Sequence, residues 1–292
     1  RSSQCSPRPL KGVEWNSEMD SISVLVVTMD RPHAFARCVR SLASQSLVSF
    51  ELVVLSNGPA AHYVRDVCQA SGLSAGMALV LIQTQQTMGV AAARNRAARS
   101  ASGDYLVWLD DDAWFPDPNA LADIQRELHR LGLPDILAYP VSEERSSRNE
   151  LLMPGRRHHR RTDVQFATTF FLGSGCAMKR RTFENAGRFD EAYEYQLEEL
   201  EFSMRIAPTR PSITYSPHIT VRHLPGCTGR AHLRAFVRHQ AQGRLMIASR
   251  YLPIVIAAVH VATWLSYLVV LAVPHLVLRS FFAGVRTGIV RS

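Results

Sequence analysis

Short apolar runs alternate with helical periodicity through the first half of the chain. Residues 22–27, 50–55, 78–82 and 105–109 are continuous, largely β-branched or aromatic runs, the pattern of strands buried on both faces. Between them lie segments of helical spacing. Residues 33–45 carry Phe35, Val39 and Leu42 on one face, 61–71 read as a second helix, and Gly89 opens an Ala-rich helix over 90–100. Asn57-Gly58-Pro59 closes the second strand with a turn signal. This β-α alternation predicts a mostly parallel sheet flanked by helices.

The pattern is less regular further on. A helix near 119–130 precedes short strands at 136–139, 176–178, 213–215 and 220–222. A helix begins at Glu198 and runs to about Ile206, and a long helical pattern covers about 230–250. Residues 251–278 contain no Asp, Glu, Lys or Arg. That is longer than the roughly 20 apolar residues a membrane-spanning helix needs. Arg244 and Arg250 precede the segment, and Arg279, Arg286 and Arg291 follow it. Basic flanks favour the cytoplasmic side, and one ordinary span cannot place both there. A re-entrant hairpin or a helix lying in the interface satisfies both. The expected organisation is a disordered segment over 1–20, an α/β domain over 21–228 and a membrane-associated helical region over 229–292.

The net charge of +8 and the pI of 9.6 raise nucleic acid as a partner. The chain has no zinc-finger spacing, no RNA-binding aromatic motif and no Gly-Lys-Ser/Thr phosphate loop, so no nucleic-acid partner is expected. An anionic membrane surface explains the charge better. Arg156 to Arg161 form a basic run, read either as a solvated loop or as a receiver of an anionic acceptor or headgroup. The five cysteines are scattered without a Cys-x-x-Cys pair, which points to reduced thiols in a cytosolic compartment.

The chemistry centres on Asp110-Asp111-Asp112, directly after the fourth apolar run. Three adjacent carboxylates repel one another and raise one another's pKa. Mg²⁺ or Mn²⁺ relieves the repulsion, favouring carboxylate oxygens and keeping positions open for phosphates. In open α/β sheets ligands gather beyond the carboxyl ends of the strands, where this triplet falls. A turn with acidic residues capping the helix near 119–130 uses the same residues without a ligand.

Further polar groups leave other predicted strands. Thr28-Met29-Asp30-Arg31-Pro32 follows the first and Ser56-Asn57-Gly58 the second. Arg94-Asn95 lie in the helix opened by Gly89, whose N-terminus can face a phosphate. Glu198-Glu199-Leu200-Glu201 place acids in a first helical turn. Taken in order with Gly187-Arg188-Phe189-Asp190-Glu191 and His223, these resemble the inverting family 2 glycosyltransferases of GT-A fold over about residues 21–225. The resemblance implies an α/β GT-A fold that binds a nucleotide-sugar donor. It implies a metal held by Asp112 first, with Asp110 and His223 as further ligands, Asp110 also facing the ribose or base and Asp111 assisting either. It places Thr28, Asp30, Arg31, Asn57 and Arg94 in the donor pocket. Glu199 is the implied base and Glu198 the runner-up, since neighbours on a helix point about 100° apart. Acids stabilising the helix N-terminus explain the same cluster without catalysis.

Ser56 stands where the family usually has an Asp for the base, which leaves the nucleotide open among UDP, dTDP and GDP. The Gln-x-x-Arg-Trp motif of processive members is absent, which implies transfer of one sugar per encounter. The expected protein is a Mn²⁺- or Mg²⁺-dependent transferase at the cytoplasmic face of the cell membrane. Its expected acceptor is a cell-envelope glycan or a lipid-linked hydroxyl. A non-catalytic glycan- or nucleotide-binding module and a metal-dependent nucleotidyltransferase are the alternatives. The second lacks the Gly-rich loop it would need after the first strand.

Overall fold

The computed structural model describes residues 20–47, 49–59, 63–73, 77–144, 149–150, 164–224 and 230–292. The basic run at 156–161 and nearly all of the 1–20 segment lie outside these residues. In chain order the elements are β1 (Ile22–Thr28), α1 (Pro32–Ala43), β2 (Glu51–Ser56), α2 (Val64–Ala70), β3 (Ala78–Gln83), α3 (Val90–Arg99) and β4 (Tyr105–Asp110). There follow β5 (Ala113–Trp114), α4 (Ala120–Arg130), β6 (Ile136–Ala138), β7 (Val141–Glu143), β8 (Asn149–Glu150), β9 (Phe166–Ala167), β10 (Cys176–Lys179) and α5 (Arg180–Asn185). The last are α6 (Glu198–Ile206), β11 (Ile213–Tyr215), β12 (Val221–His223), α7 (Arg230–Tyr251), α8 (Ile254–Ala272) and α9 (Leu278–Arg291).

Two compact units divide the chain. The first takes in the chain up to Met88, Ala93–Gly187 and Arg210–Pro225. Its main sheet has the order β3-β2-β1-β4-β10-β6-β11-β9. The strands from β3 to β4 are mutually parallel, as the alternation predicts. Beyond them β10 runs antiparallel to both β4 and β6, so the sheet is mixed on that side. Continuous apolar strands are possible because β1, β2 and β4 are buried on both faces. Phe35, Cys38, Val39 and Leu42 of α1, and Leu121, Ile124 and Leu128 of α4, pack into the same core.

A second, smaller sheet was not legible in the sequence. Its order is β5-β12-β7-β8, built from strands of two or three residues. Such strands are too short to show a period of two. Within the described residues Cys38, Cys68 and Cys176 are buried and form no disulfide.

The second unit comprises Gly89–Ala92, Arg188–Thr209 and Gly226–Ser292, so it draws on chain well before residue 229. Val237 and Ala241 of α7 pack against Leu268 and Ala272 of α8 and Phe281 of α9. A Cβ on Gly284 would overlap the Arg238 carbonyl oxygen, and one on Gly288 would lie 3.0 Å from the Gln242 oxygen. These two glycines let α9 lie directly on the α7 backbone. The apolar segment read over 251–278 is one helix, α8, followed by a turn through Pro274, after which α9 begins.

One carboxylate ties together the starts of three central strands. Glu51, 5 % exposed, accepts from the Ser23 hydroxyl and from the Ser102 N–H and hydroxyl at 2.8 and 3.0 Å. Gly103 N–H in turn donates to the Ser23 hydroxyl at 2.8 Å. Glu51→Ala strands the buried Ser23 hydroxyl and frees the exposed Ser102 from the strand starts. We expect a loss of about 1–3 kcal/mol, read as a lower urea midpoint at an unchanged denaturant slope.

Candidate active site

Strand register builds the site in the first unit. β1 and β4 are parallel neighbours with Val27 opposite Asp110. The polar loop leaving β1 therefore lies beside the aspartates leaving β4. Thr28, fully buried, donates its hydroxyl to Asp111 at 2.7 Å. The Arg31 guanidinium pairs with Asp111 at 2.9 Å and also with Asp112. On the other side, Arg94 of α3 pairs with Asp110 at 2.8 Å.

The small sheet delivers the histidine. β12 runs antiparallel to β5 with His223 opposite Ala113, the residue after Asp112. Leu224 N–H closes the pair on the Asp112 carbonyl at 3.0 Å. His223 Nε2 comes to lie 3.2 Å from Asp112 Oδ1. Asp110, Asp112 and His223 each offer one donor atom, and all three atoms lie within 4.8 Å of one another. Two carboxylates and an imidazole at this separation form a donor set suited to a divalent cation.

The aspartates differ in character. Burial pushes the Asp111 carboxyl up to about 7, against the Arg31 charge and the Thr28 hydrogen bond, which pull it down. Burial also raises Asp112, but the His223 hydrogen bond and the Arg31 charge outweigh it and hold that carboxyl below its usual range. Asp111 is thus the carboxylate that the fold encloses. Asp110, at 37 % side-chain exposure, is open to solvent.

One donor-pocket residue named from sequence, Asn57, is engaged structurally. Asn57 is buried, and its amide both donates to the Met88 carbonyl and accepts from the Met88 N–H, each at 2.9 Å. It pins the loop after β2. Asp30 is exposed. Tyr63 has no sequence motif to announce it. Its hydroxyl lies 2.9 Å from the Thr28 hydroxyl and accepts from Arg31 N–H at 3.1 Å, fixing the loop that carries both.

In the second unit, α6 starts after two consecutive left-handed residues, Gln196 (φ 66°) and Leu197 (φ 71°). Such non-glycine residues cost on the order of 1–3 kcal/mol each and persist where packing holds them. Leu197 is held against Tyr193, Met246 and Ile247. The three acids that follow have different fates. Glu201 is buried and bound by Arg205 at 2.8 Å and by the Tyr251 hydroxyl at 2.5 Å. Glu198 is buried, and Glu199 is partly exposed. The N-terminal turn of α3 carries a further tie within this unit. Val90 N–H donates to the Glu194 carbonyl at 2.8 Å, so one of the helix-end donors expected to face phosphate is engaged. A Cβ on Gly89 would sit 2.9 Å from Glu194 Cα, which requires glycine there.

Residues 23–187, more than half the chain, match the model of the family described as Glycosyl transferase family 2. The uncharacterized glycosyltransferase YwdF of Bacillus subtilis is 23 % identical over 171 residues, 58 % of this chain and 62 % of that one. The putative glycosyltransferase EpsH of the same organism is 26 % identical over 101 residues, 34 % of this chain and 28 % of its own length. The chain thus spans less than two thirds of either relative. Among solved structures, the mannosyltransferase PcManGT of Pyrobaculum calidifontis, in complex with GDP-Man and Mn²⁺, gives a TM-score of 0.62 at 17 % identity. That match covers 97 % of this chain and 90 % of the other. Staphylococcus aureus TarS 1-349 in complex with UDP-GlcNAc gives 0.59 at 16 % identity, over 84 % and 71 %. The fold is therefore GT-A.

Arg31 is the cation that faces both inner aspartates. Arg31→Gln leaves Asp111 and Asp112 with less compensation. We expect a loss of about 1–3 kcal/mol, discounted toward the lower end because the arginine is 46 % exposed. Thermal unfolding with and without Mn²⁺ checks this, and the ion should recover more stability in the variant than in the wild type.

Proposed function

The chain belongs to glycosyl transferase family 2, and from that premise we propose that it transfers a single sugar from a UDP-, dTDP- or GDP-sugar to an acceptor hydroxyl, with inversion. The observation that carries this reading is the convergence of Asp110, Asp112 and His223 at the carboxyl end of β4. These residues would hold Mn²⁺ or Mg²⁺, which when bound stabilises the negative charge of the departing diphosphate. PcManGT, of the same fold, is known with GDP-Man and Mn²⁺, and TarS with UDP-GlcNAc, which supports a nucleotide-sugar donor here.

The protein's own groups divide the remaining work. Arg94 orients Asp110, which is open toward the ribose. Arg31, half-exposed, spends its two terminal nitrogens on Asp111 and Asp112 and brings a positive charge beside the departing diphosphate. Thr28 and Asn57 set the two loops that line the nucleoside side, and the exposed Asp30 extends the first of them. Inversion requires the acceptor oxygen to attack the anomeric carbon opposite the departing diphosphate. The bond to the diphosphate oxygen breaks, its electron pair leaves with the diphosphate, and the hydroxyl proton passes to a base. Glu199 is that base. Glu201 is occupied by Arg205 and Tyr251 and Glu198 is buried, whereas Glu199 is the partly exposed residue of the three, which supports it in that role.

α8 is the membrane-associating element, at the cytoplasmic face, and a cell-envelope glycan or lipid-linked molecule is the acceptor. The helix is long and apolar enough to cross a bilayer, and only 6 % of its most apolar window is buried. Its inner side packs on α7, which carries Arg234, Arg238, Arg244 and Arg250. Crossing the bilayer would draw these into hydrocarbon at about 2.5–3.5 kcal/mol each. Lying in the interface keeps them at headgroup level.

Two variants separate the roles. Asp112→Asn is expected to abolish Mn²⁺-dependent binding of the donor nucleotide, measured by calorimetry with UDP, dTDP and GDP and a chelator control. Glu199→Gln is expected to bind the nucleotide normally and to lower turnover by on the order of 10²–10⁴. Full activity in Glu199→Gln would move the base to Glu198.

A further inference from the structure

A pocket of about 390 Å³ opens between α7 and α8, lined by Phe236, Gln240 and Arg244 from the first helix and Thr263, Trp264 and Tyr267 from the second. Phe236, Gln240 and Arg244 recur every four residues and so share one helix face. The Arg244 guanidinium lies flat over the Trp264 ring, 3.6 Å from its centroid. Its Nε–H donates to Gln240 Oε1 at 3.2 Å. Among the described residues no carboxylate pairs with it, and its terminal N–H groups meet no acceptor. Burial lowers its pKa to about 10, so it stays charged at neutral pH.

A half-buried cation without a counter-ion is costly, and the fork that Arg244 presents is shaped for phosphate oxygens. The surroundings select the kind of phosphate. Thr263 and Tyr267 are exposed. One turn to either side on the same helix, Val259 and Val270 are 63 % and 71 % exposed. A cation thus sits at an open pocket within an apolar face, and tryptophan and tyrosine are the residues that favour the headgroup level of a bilayer.

We propose that this pocket seats the phosphate of an anionic membrane lipid, with Arg244 as its receptor and the outer face of α8 against the acyl chains. The proposal rests on the interfacial reading of α8. It makes the membrane contact selective for headgroups, beyond apolar adhesion alone.

Flotation of the full chain with vesicles of phosphatidylcholine, and of phosphatidylcholine mixed with phosphatidylglycerol, tests it at fixed ionic strength. The wild type should favour the anionic vesicles, and Arg244→Gln should lose about fivefold of that preference. Arg234→Gln, at an exposed arginine of the same helix, should lose distinctly less. An equal loss in both variants, or an Arg244→Gln preference like the wild type, overturns the seat. Equal binding to both vesicles also overturns the seat and leaves the interfacial reading standing. Binding to neither overturns the interfacial reading and the seat with it. Release of the wild type from anionic vesicles by inorganic phosphate, more than by chloride at matched ionic strength, is the competition expected of a phosphate seat, and release equal for the two salts overturns it.

Should Arg244→Gln unfold, brominated phosphatidylglycerol gives an independent readout on the intact chain. It should quench wild-type tryptophan emission, and Trp264→Phe should remove most of that quenching. Vesicle binding without quenching places the pocket away from lipid and overturns the proposal.

Discussion

Three consecutive carboxylates at the end of a buried strand are the constraint around which the first unit is arranged. Left alone they repel, and the middle one sits where burial opposes its charge. The fold answers with groups from separate parts of the chain. Arg31 and Thr28 arrive from the loop after β1, Arg94 from α3 and His223 from β12. Each needs a different piece of tertiary structure. The result is a set of carboxylates partly neutralised by the protein, with Asp110, Asp112 and His223 still close enough to share an ion.

The same arrangement gives the aspartates different tasks. Asp111 is enclosed by Thr28 and Arg31 and fixes the loop after β1. Asp112 faces His223, and Asp110 opens to solvent beside Arg94. Tyr63 extends the network by holding both Thr28 and the backbone of Arg31. A comparable division occurs on α6. Glu201 binds Arg205 and Tyr251 within its own unit, while Glu199 is partly exposed.

The helical unit carries the opposite polarity problem. α8 offers valines and isoleucines to the outside, among them Ile254 at 86 % and Val255 at 73 % exposure, while α7 beneath it is rich in arginine. Water is a poor surrounding for the first and hydrocarbon for the second. An interface accommodates both, and Arg244 stacked on Trp264 stands where the two meet.

The sequence by itself determined the parallel core and the site's main acids. The runs that became β1, β2, β3 and β4 are apolar because both faces of a central sheet are covered, and such runs are visible in one dimension. The aspartates were legible because three carboxylates in a row are costly in any fold. Tertiary structure alone decided which acid meets which partner. The two-residue pairing of β5 with β12 brings His223 to Asp112 across more than a hundred residues, and strands that short leave no periodic trace. The engagement of Asn57 by Met88, and of Glu201 by Tyr251, likewise depends on contacts between distant segments. The laying of α9 on α7 through Gly284 followed from close packing of backbones. Hydropathy fixes which side of a helix avoids water, but which neighbour covers it depends on shape, and shape exists only in the folded chain.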